Sequence, residues 1–212
     1  MEKKYSFKIV RAADTTALSD FRCGVQSMDA FIHDKVNGLA KFIQMGLSNL
    51  WIVFEGSKAV AFFALSKDAL MLNGDDIRSI GNDEKKSAVL PDQDEVKFWE
   101  REKYPALEID YLAVCKEKRD NPNEHIGAYI IEEICRMARA DFFSATLFLT
   151  VEALDTKDYS AVKFYRKCDF EFSEVGRIQN YNKMRYGEQP TTQRMYRVVI
   201  PSDAFADKEQ PQ

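Results

Sequence analysis

The stretch "LEIDYLAVCKEKRDNPNEHIGAYIIEEICRMA", residues 107–138, carries the reading of the fold. Its first eight residues alternate as a strand does: Leu107, Ile109, Tyr111 and Ala113 share one face, and Glu108, Asp110, Leu112 and Val114 share the other. The strand feeds a polar loop with one glycine, Gly127, and then a helix expected over about 127–139. A helix opened in this way presents unpaired backbone N–H groups and the positive end of its dipole, a setting that suits a pyrophosphate. A tight turn also needs a glycine there, so the residues alone leave both readings open. Glu108 and Asp110 pose a similar choice. Two half-buried carboxylates on one face repel each other, which favours a proton on one of them and so a base near neutrality. An ion pair or hydrogen bond to neighbouring loops is the other reading.

Outward from this core, Phe7 and Ile9 alternate with Ser6 and Lys8 in a first strand over 5–11. Ser27 is placed to cap a single helix carrying Ile32, Val36, Leu39 and Ile43, with Gly46 at its end. "NLWIVFEGSKAVAFFALS" reads as two strands joined at Glu55, Gly56 and Ser57. Residues 73–103 are polar, acidic and poorly periodic, and are expected to form an insertion on the domain's rim. After the helix at 127–139 come a strand at 145–153, a short helix near 160–167, and closing strands near 170–175 and 193–199. The order predicts one α/β domain over residues 1–200, a mixed sheet with helices on its faces, followed by a disordered tail at 201–212.

Composition narrows the function. The 212 residues carry a net charge of −4, which argues against a protein that coats nucleic acid by phosphate neutralisation. Four cysteines without a C-x-x-C pair and two histidines give no local metal-ligand spacing, so no metal is expected. The amino terminus lacks a signal-peptide pattern, and "AVAFFAL" is too short to span a bilayer, so a cytoplasmic protein without a membrane partner is expected.

"YLAV", the polar loop, "HIGAYII" and the later "SAVKFYRKCDF" together resemble the GNAT (Gcn5-related) N-acetyltransferases. In that family a Q/R-x-x-G-x-G/A loop binds the pyrophosphate of acetyl-CoA, and an "A-x-x-F-Y-x-x-x-G-F" segment follows. Here Pro122 stands at the Gln/Arg position, His125 at the first glycine and Asp169 at the glycine before Phe170. The resemblance implies a mostly antiparallel central sheet with a V-shaped splay between its two central strands. It places the cofactor along Leu112, Ala113 and Val114, with the pyrophosphate at Asn123, Glu124, His125, Ile126, Gly127, Ala128 and Tyr129, and Phe164 nearby. It makes Tyr165 the donor to the departing thiolate, a residue that would otherwise read as a core aromatic. Glu108 becomes the general base, with Asp110 as the alternative.

The segment from "FRCGVQSMDAFI" onward, with Phe21, Cys23, Gly24, Ser27, Asp29, Phe31 and Ile32, is similar to the toxin-type branch that acetylates aminoacyl-tRNA. That likeness implies tRNA as an acceptor, an antitoxin as a partner, and admits a homodimer. Residues 177–197 offer Arg177, Lys183, Arg185, Arg194 and Arg197 interleaved with Tyr181, Tyr186 and Tyr196, a composition suited to single-stranded RNA and equally to a solvated hairpin. Transfer of acetyl to a primary amine is the main expectation. Acetylation of aminoacyl-tRNA and a non-catalytic acyl-CoA-binding domain are the alternatives. A covalent acetyl-cysteine route through Cys115 is disfavoured, because no histidine motif accompanies it.

Overall fold

A computed structural model of the chain describes residues 7–91, 96–119, 121, 125–140, 145–157 and 159–199. Its strands are β1 (Phe7–Ala12), β2 (Asn49–Glu55), β3 (Lys58–Leu70), β4 (Tyr104–Val114), β5 (Phe148–Leu154), β6 (Glu171–Phe172) and β7 (Thr192–Val198). Its α-helices are α1 (Gln26–His33), α2 (Leu39–Gln44), α3 (Gly74–Gly81), α4 (Glu84–Ser87), α5 (Val96–Trp99), α6 (Lys116–Arg119), α7 (Ile126–Ala140), α8 (Val162–Lys167) and α9 (Glu174–Arg185). The strands form one sheet in the order β1-β2-β3-β4-β5-β7-β6. Pairing is antiparallel for β1 with β2, β2 with β3, β5 with β7 and β6 with β7, and parallel for β4 with β5. This is the mixed α/β architecture expected from the sequence. The β4–β5 ladder has three rungs, from Ala106 opposite Phe148 to Glu108 opposite Thr150, out of the eleven residues of β4.

The chain divides into two compact units. The first comprises Met1–Ser66 and Ile109–Ile130. Its β2–β3 hairpin turns at Gly56, whose φ of +60° is the left-handed backbone that glycine adopts without strain. The apolar faces of β2 and β3 are buried through Leu50, Ile52, Phe62 and Phe63. Tyr111 of β4 packs its ring on Phe31 of α1 and Phe42 of α2.

The single helix expected from Ser27 to Gly46 is two helices. Val25, not Ser27, holds the N-cap position of α1, and no side chain caps it. The break follows from Asp34, whose Oδ1 accepts from the N–H of Val36 and Asn37 and closes a local turn in competition with the helix. Gly38 completes the turn in a space with no room for a side chain: a Cβ there would lie 2.1 Å from the Phe31 carbonyl oxygen and 2.4 Å from that of Asp34. Gly38→Ala is therefore expected to destabilise the protein by about 1–3 kcal/mol through backbone displacement. Thermal unfolding followed by circular dichroism measures this, and an unchanged midpoint would show that the turn yields freely.

The second unit comprises Lys67–Glu108 and Ile131–Gln212. Leu70, Ile80, Leu90, Tyr104, Ala106, Phe148, Tyr196 and Val198 form its buried cluster. Ile80 and Leu90 come from the polar segment at 73–103, which folds into α3, α4 and α5. Asn73 starts α3 with a capping box: its side chain accepts from the N–H of Asp75 and Asp76, and Asp76 accepts from the N–H of Asn73. Asp76 is buried, and its second oxygen accepts from the N–H of Glu174 at 3.0 Å. Burial raises the Asp76 carboxyl above the usual range against these hydrogen bonds.

Two further expectations are corrected. The strand near 170–175 is only two residues long, and residues 177–197 are not a hairpin: α9 occupies Glu174–Arg185, with Ser173 as its N-cap accepting from Gly176 N–H. The expected tail at 201–212 and the start of the first strand at Tyr5 and Ser6 lie outside the described residues. Among the described residues no helix is long and apolar enough to cross a membrane.

Candidate active site

In the first unit, β4 carries Leu112, Ala113 and Val114, of which Ala113 is buried. Cys115 N–H donates to the Val60 carbonyl at 2.8 Å, and Lys116 N–H to that of Arg22 at 3.0 Å, so the strand's exit is fixed by backbone. Asp110 accepts from two serine hydroxyls, Ser48 Oγ at 2.6 Å on one oxygen and Ser66 Oγ at 2.9 Å on the other. Neither serine was anticipated from sequence. The loop residues Asn123 and Glu124, with Pro122, lie outside the described residues.

His125 is exposed, Ile126 is buried, and Gly127, Ala128 and Tyr129 are half-buried in the first turn of α7. The first helical hydrogen bond runs from Tyr129 N–H to the His125 carbonyl, so the helix itself supplies no acceptor for the N–H groups of Ile126, Gly127 and Ala128. No acidic side chain occupies this turn of the 15-residue helix. A negatively charged pyrophosphate fits such an end.

In the second unit, Glu108 is drawn into an ion-pair cluster. Arg194 of β7 donates to Glu108 Oε1 at 3.0 Å and to Asp68 Oδ2, and lies 3.6 Å from Glu152 Oε1. Thr150 Oγ1 donates to the same Asp68 oxygen. Burial raises the Asp68 carboxyl, and the Thr150 hydroxyl and Arg194 together more than reverse this, so it sits below the usual range. Of the two readings of Glu108, the ion pair is present, its partner being Arg194 of β7 and not a neighbouring loop. Arg194 stood in the sequence among the candidate RNA contacts, but its side chain is only 17% exposed. Arg197 likewise turns inward, to Glu132 at 2.8 Å. Tyr196 is buried, while Tyr181, Lys183, Arg185 and Tyr186 are exposed at the end of α9.

Tyr165 lies in α8 with 5% exposure, its ring edge-on to Phe164 at 5.0 Å and Phe170 at 5.2 Å. Burial pushes its phenol far above the ordinary value of 10, so the hydroxyl keeps its proton at any working pH. Asp169, standing at the family's glycine, adopts φ +61°, the left-handed conformation a glycine would supply. All four cysteines are unpaired and buried; burial raises the Cys23 and Cys168 thiols to about 11, so neither is thiolate near neutrality. Among the described residues no group of His, Cys, Asp and Glu is arranged to hold a metal ion.

A cavity of about 1270 Å³ also lies in this unit, with Asp76, Lys86, Asp169, Glu171, Tyr196 and Arg197 in its wall. None of the anticipated catalytic residues lines it. Within its wall Lys86 is paired with both Asp83 and Glu171.

No protein-family model matches the chain, and no curated protein matches it in sequence. Solved structures do match it in fold, and the fold is the GNAT fold that the toxin AtaT shares. A tyrosine-to-phenylalanine mutant of the toxin AtaT, bound to the C-terminus of the antitoxin AtaR and to acetyl-CoA, is 13% identical, with 97% of this chain and 100% of that one covered at a TM-score of 0.55. AtaT complexed with acetyl-methionyl-tRNAfMet is 16% identical, covering 89% and 93% at a TM-score of 0.54. A tyrosine-to-phenylalanine mutant of KacT is 15% identical, covering 91% and 95% at 0.55.

Proposed function

We propose that the chain is an N-acetyltransferase that moves an acetyl group from acetyl-CoA to a primary amine in one direct step. Acetyl-CoA, when bound, supplies an acyl group activated as a thioester. Backbone N–H groups of Ile126, Gly127 and Ala128, with the loop at Asn123, Glu124 and His125, hold the pyrophosphate. Leu112, Ala113 and Val114 pair with the pantetheine arm, and one of their N–H groups donates to the thioester oxygen as charge builds there. Glu108, or Asp110 in its place, takes the proton from the acceptor ammonium. The freed amine nitrogen bonds to the carbonyl carbon and the carbon–sulfur bond breaks; the second proton lost by that nitrogen ends on the departing sulfur, whose growing charge is met by a hydrogen bond from Tyr165, seated against Phe164. The observation that carries this reading is the junction of β4 with α7, where a glycine-bearing first turn, itself without an acidic side chain, offers backbone donors.

Calorimetry with acetyl-CoA tests it. Wild type is expected to bind, and Gly127→Arg to bind at least about tenfold more weakly, because a long side chain fills the place of the pyrophosphate. Release of free thiol over a panel of amines, charged tRNA included, then identifies the acceptor. Binding without thiol release on any amine would instead favour a non-catalytic acyl-CoA-binding domain. If wild type binds no acyl-CoA, the proposal fails.

One observation favours aminoacyl-tRNA as the acceptor. Tyr181 and Tyr186 are 58% and 87% exposed beside Lys183 and Arg185, which offers stacking rings next to cations. With Arg194 and Arg197 turned inward, this patch is smaller than the sequence suggested. An antitoxin partner accompanies the same reading.

A further inference from the structure

Arg194 occupies an unusual position in the second unit. It stands opposite Glu152 in the β5–β7 ladder, and its guanidinium reaches Asp68 on β3, Glu108 on β4 and Glu152 on β5. Glu108 and Thr150 are the last rung of the β4–β5 ladder, so one cation on β7 gathers side chains from three other strands at the rung where that ladder stops. The arginine is itself held in place. Ser173 N–H donates to its carbonyl at 3.0 Å, and a Cβ on Gly176 would come within 2.5 Å of the Arg194 Cβ. The first turn of α9 therefore rests on the arginine stem through a residue that has no side chain.

We propose that Arg194 is the positioning residue of the transfer reaction: its guanidinium orients the Glu108 carboxylate and keeps it ionised, ready to accept the proton of the amine. This rests on the reading of Glu108 as the base. Among the described residues the charged groups facing Glu108 include Arg194 from β7, with Asp68 from β3 and Glu152 from β5 sharing that guanidinium; Asp110 follows two residues on along β4. Arg194 set among three carboxylates makes a balance. With the cation present the negative charges are tolerated together; without it they repel, and Glu108 holds a proton to higher pH. Asp68, kept ionised by Thr150 as well, stays an acceptor for the guanidinium and fixes its angle.

Carbon-13 NMR of labelled glutamate carboxyls reads this directly in the full chain, with Glu108 assigned as the signal missing from Glu108→Gln. The Glu108 midpoint in Arg194→Gln is expected at least about one pH unit above wild type, since an opposite charge at this range shifts a carboxyl by about 1–3 units. In Arg194→Lys, where charge remains and the planar fork is lost, the rise is a few tenths. If Arg194→Gln does not fold, Arg194→Lys alone decides. A midpoint that does not move overturns the proposal. In the transfer assay the acidic limb of kcat/KM is expected to move upward in parallel, with KM for acetyl-CoA unchanged. A Glu108→Gln protein as active as wild type would overturn the choice of base, and the catalytic purpose of Arg194 with it, whereas an unmoved midpoint beside an inactive Glu108→Gln overturns the role of Arg194 alone.

Discussion

Tyr165→Phe is expected to lower kcat for acetyl transfer by about 10²- to 10³-fold, with acetyl-CoA affinity within about threefold of wild type. The size follows from what the hydroxyl can do where it lies. Burial between Phe164 and Phe170 places the phenol far above its ordinary value, and the departing thiolate has a proton affinity near that of free cysteine, about 8.5. Complete transfer of the proton before the carbon–sulfur bond breaks would thus be uphill. A hydrogen bond that strengthens as charge collects on sulfur is not, and the loss of one such donor costs the factor given. The aromatic ring that packs the core is retained in phenylalanine, so stability should change little. Steady-state kinetics with a fixed amine, together with calorimetry, separates the two effects. A kcat within threefold of wild type would leave Tyr165 as a core aromatic and no more.

The elements around the junction of β4 and α7 were legible because their periods are clean. Alternation over 107–114 and the buried Ile126, Ile130, Ile131 and Ile134 of α7 are local signals, and the β2–β3 hairpin declares itself by Gly56. The break between α1 and α2 was not legible. Val36, which continued the apparent helical stripe, is 70% exposed, and the contact that forbids a side chain at Gly38 is with the Phe31 backbone seven residues earlier. The helix α9 was hidden for a related reason: Ile178, Tyr181 and Met184 are all exposed, and the residue it buries is Gly176, which carries no apolar signal.

The candidate site divides in the same way. Glu108, Asp110 and Tyr165 stood out because each sits within a patterned segment. Their partners did not. Ser48 and Ser66 are 62 and 44 residues from Asp110, and Arg194 is 86 residues from Glu108, so no spacing in the chain announces these contacts. A physical hint was present, namely acids placed in otherwise apolar strands: Asp68 in β3, Glu108 in β4, Glu152 in β5. Asp68 and Glu108 are largely buried, and buried carboxylates call for a partner. The inward-facing arginine that answers them was counted instead as part of a nucleic-acid patch.

Ile80→Ala is expected to destabilise the protein by about 2–5 kcal/mol, a large share of the roughly 5–15 kcal/mol that holds a domain folded. By composition, its segment is the least core-like of the chain: Asn73, Asp75, Asp76, Arg78, Asn82 and Asp83 surround it. Yet Ile80 has no exposed surface and lies in one cluster with Tyr104, Phe148 and Tyr196. The polar residues serve this burial. Asn73 and Asp76 satisfy the first N–H groups of α3, Asp83 does so for α4, and Lys86, though buried, is paired with Glu171 of β6. An acidic sequence can thus deliver an isoleucine to the interior because its charges are used in caps and pairs. Truncating Ile80 removes the apolar group and leaves those polar contacts in place, which isolates the hydrophobic contribution. Urea unfolding measures it as a fall in the midpoint at constant slope. A loss below 1 kcal/mol would mean that α3 lies on the unit without supporting it, and that residues 73–103 form the peripheral insertion their composition suggests.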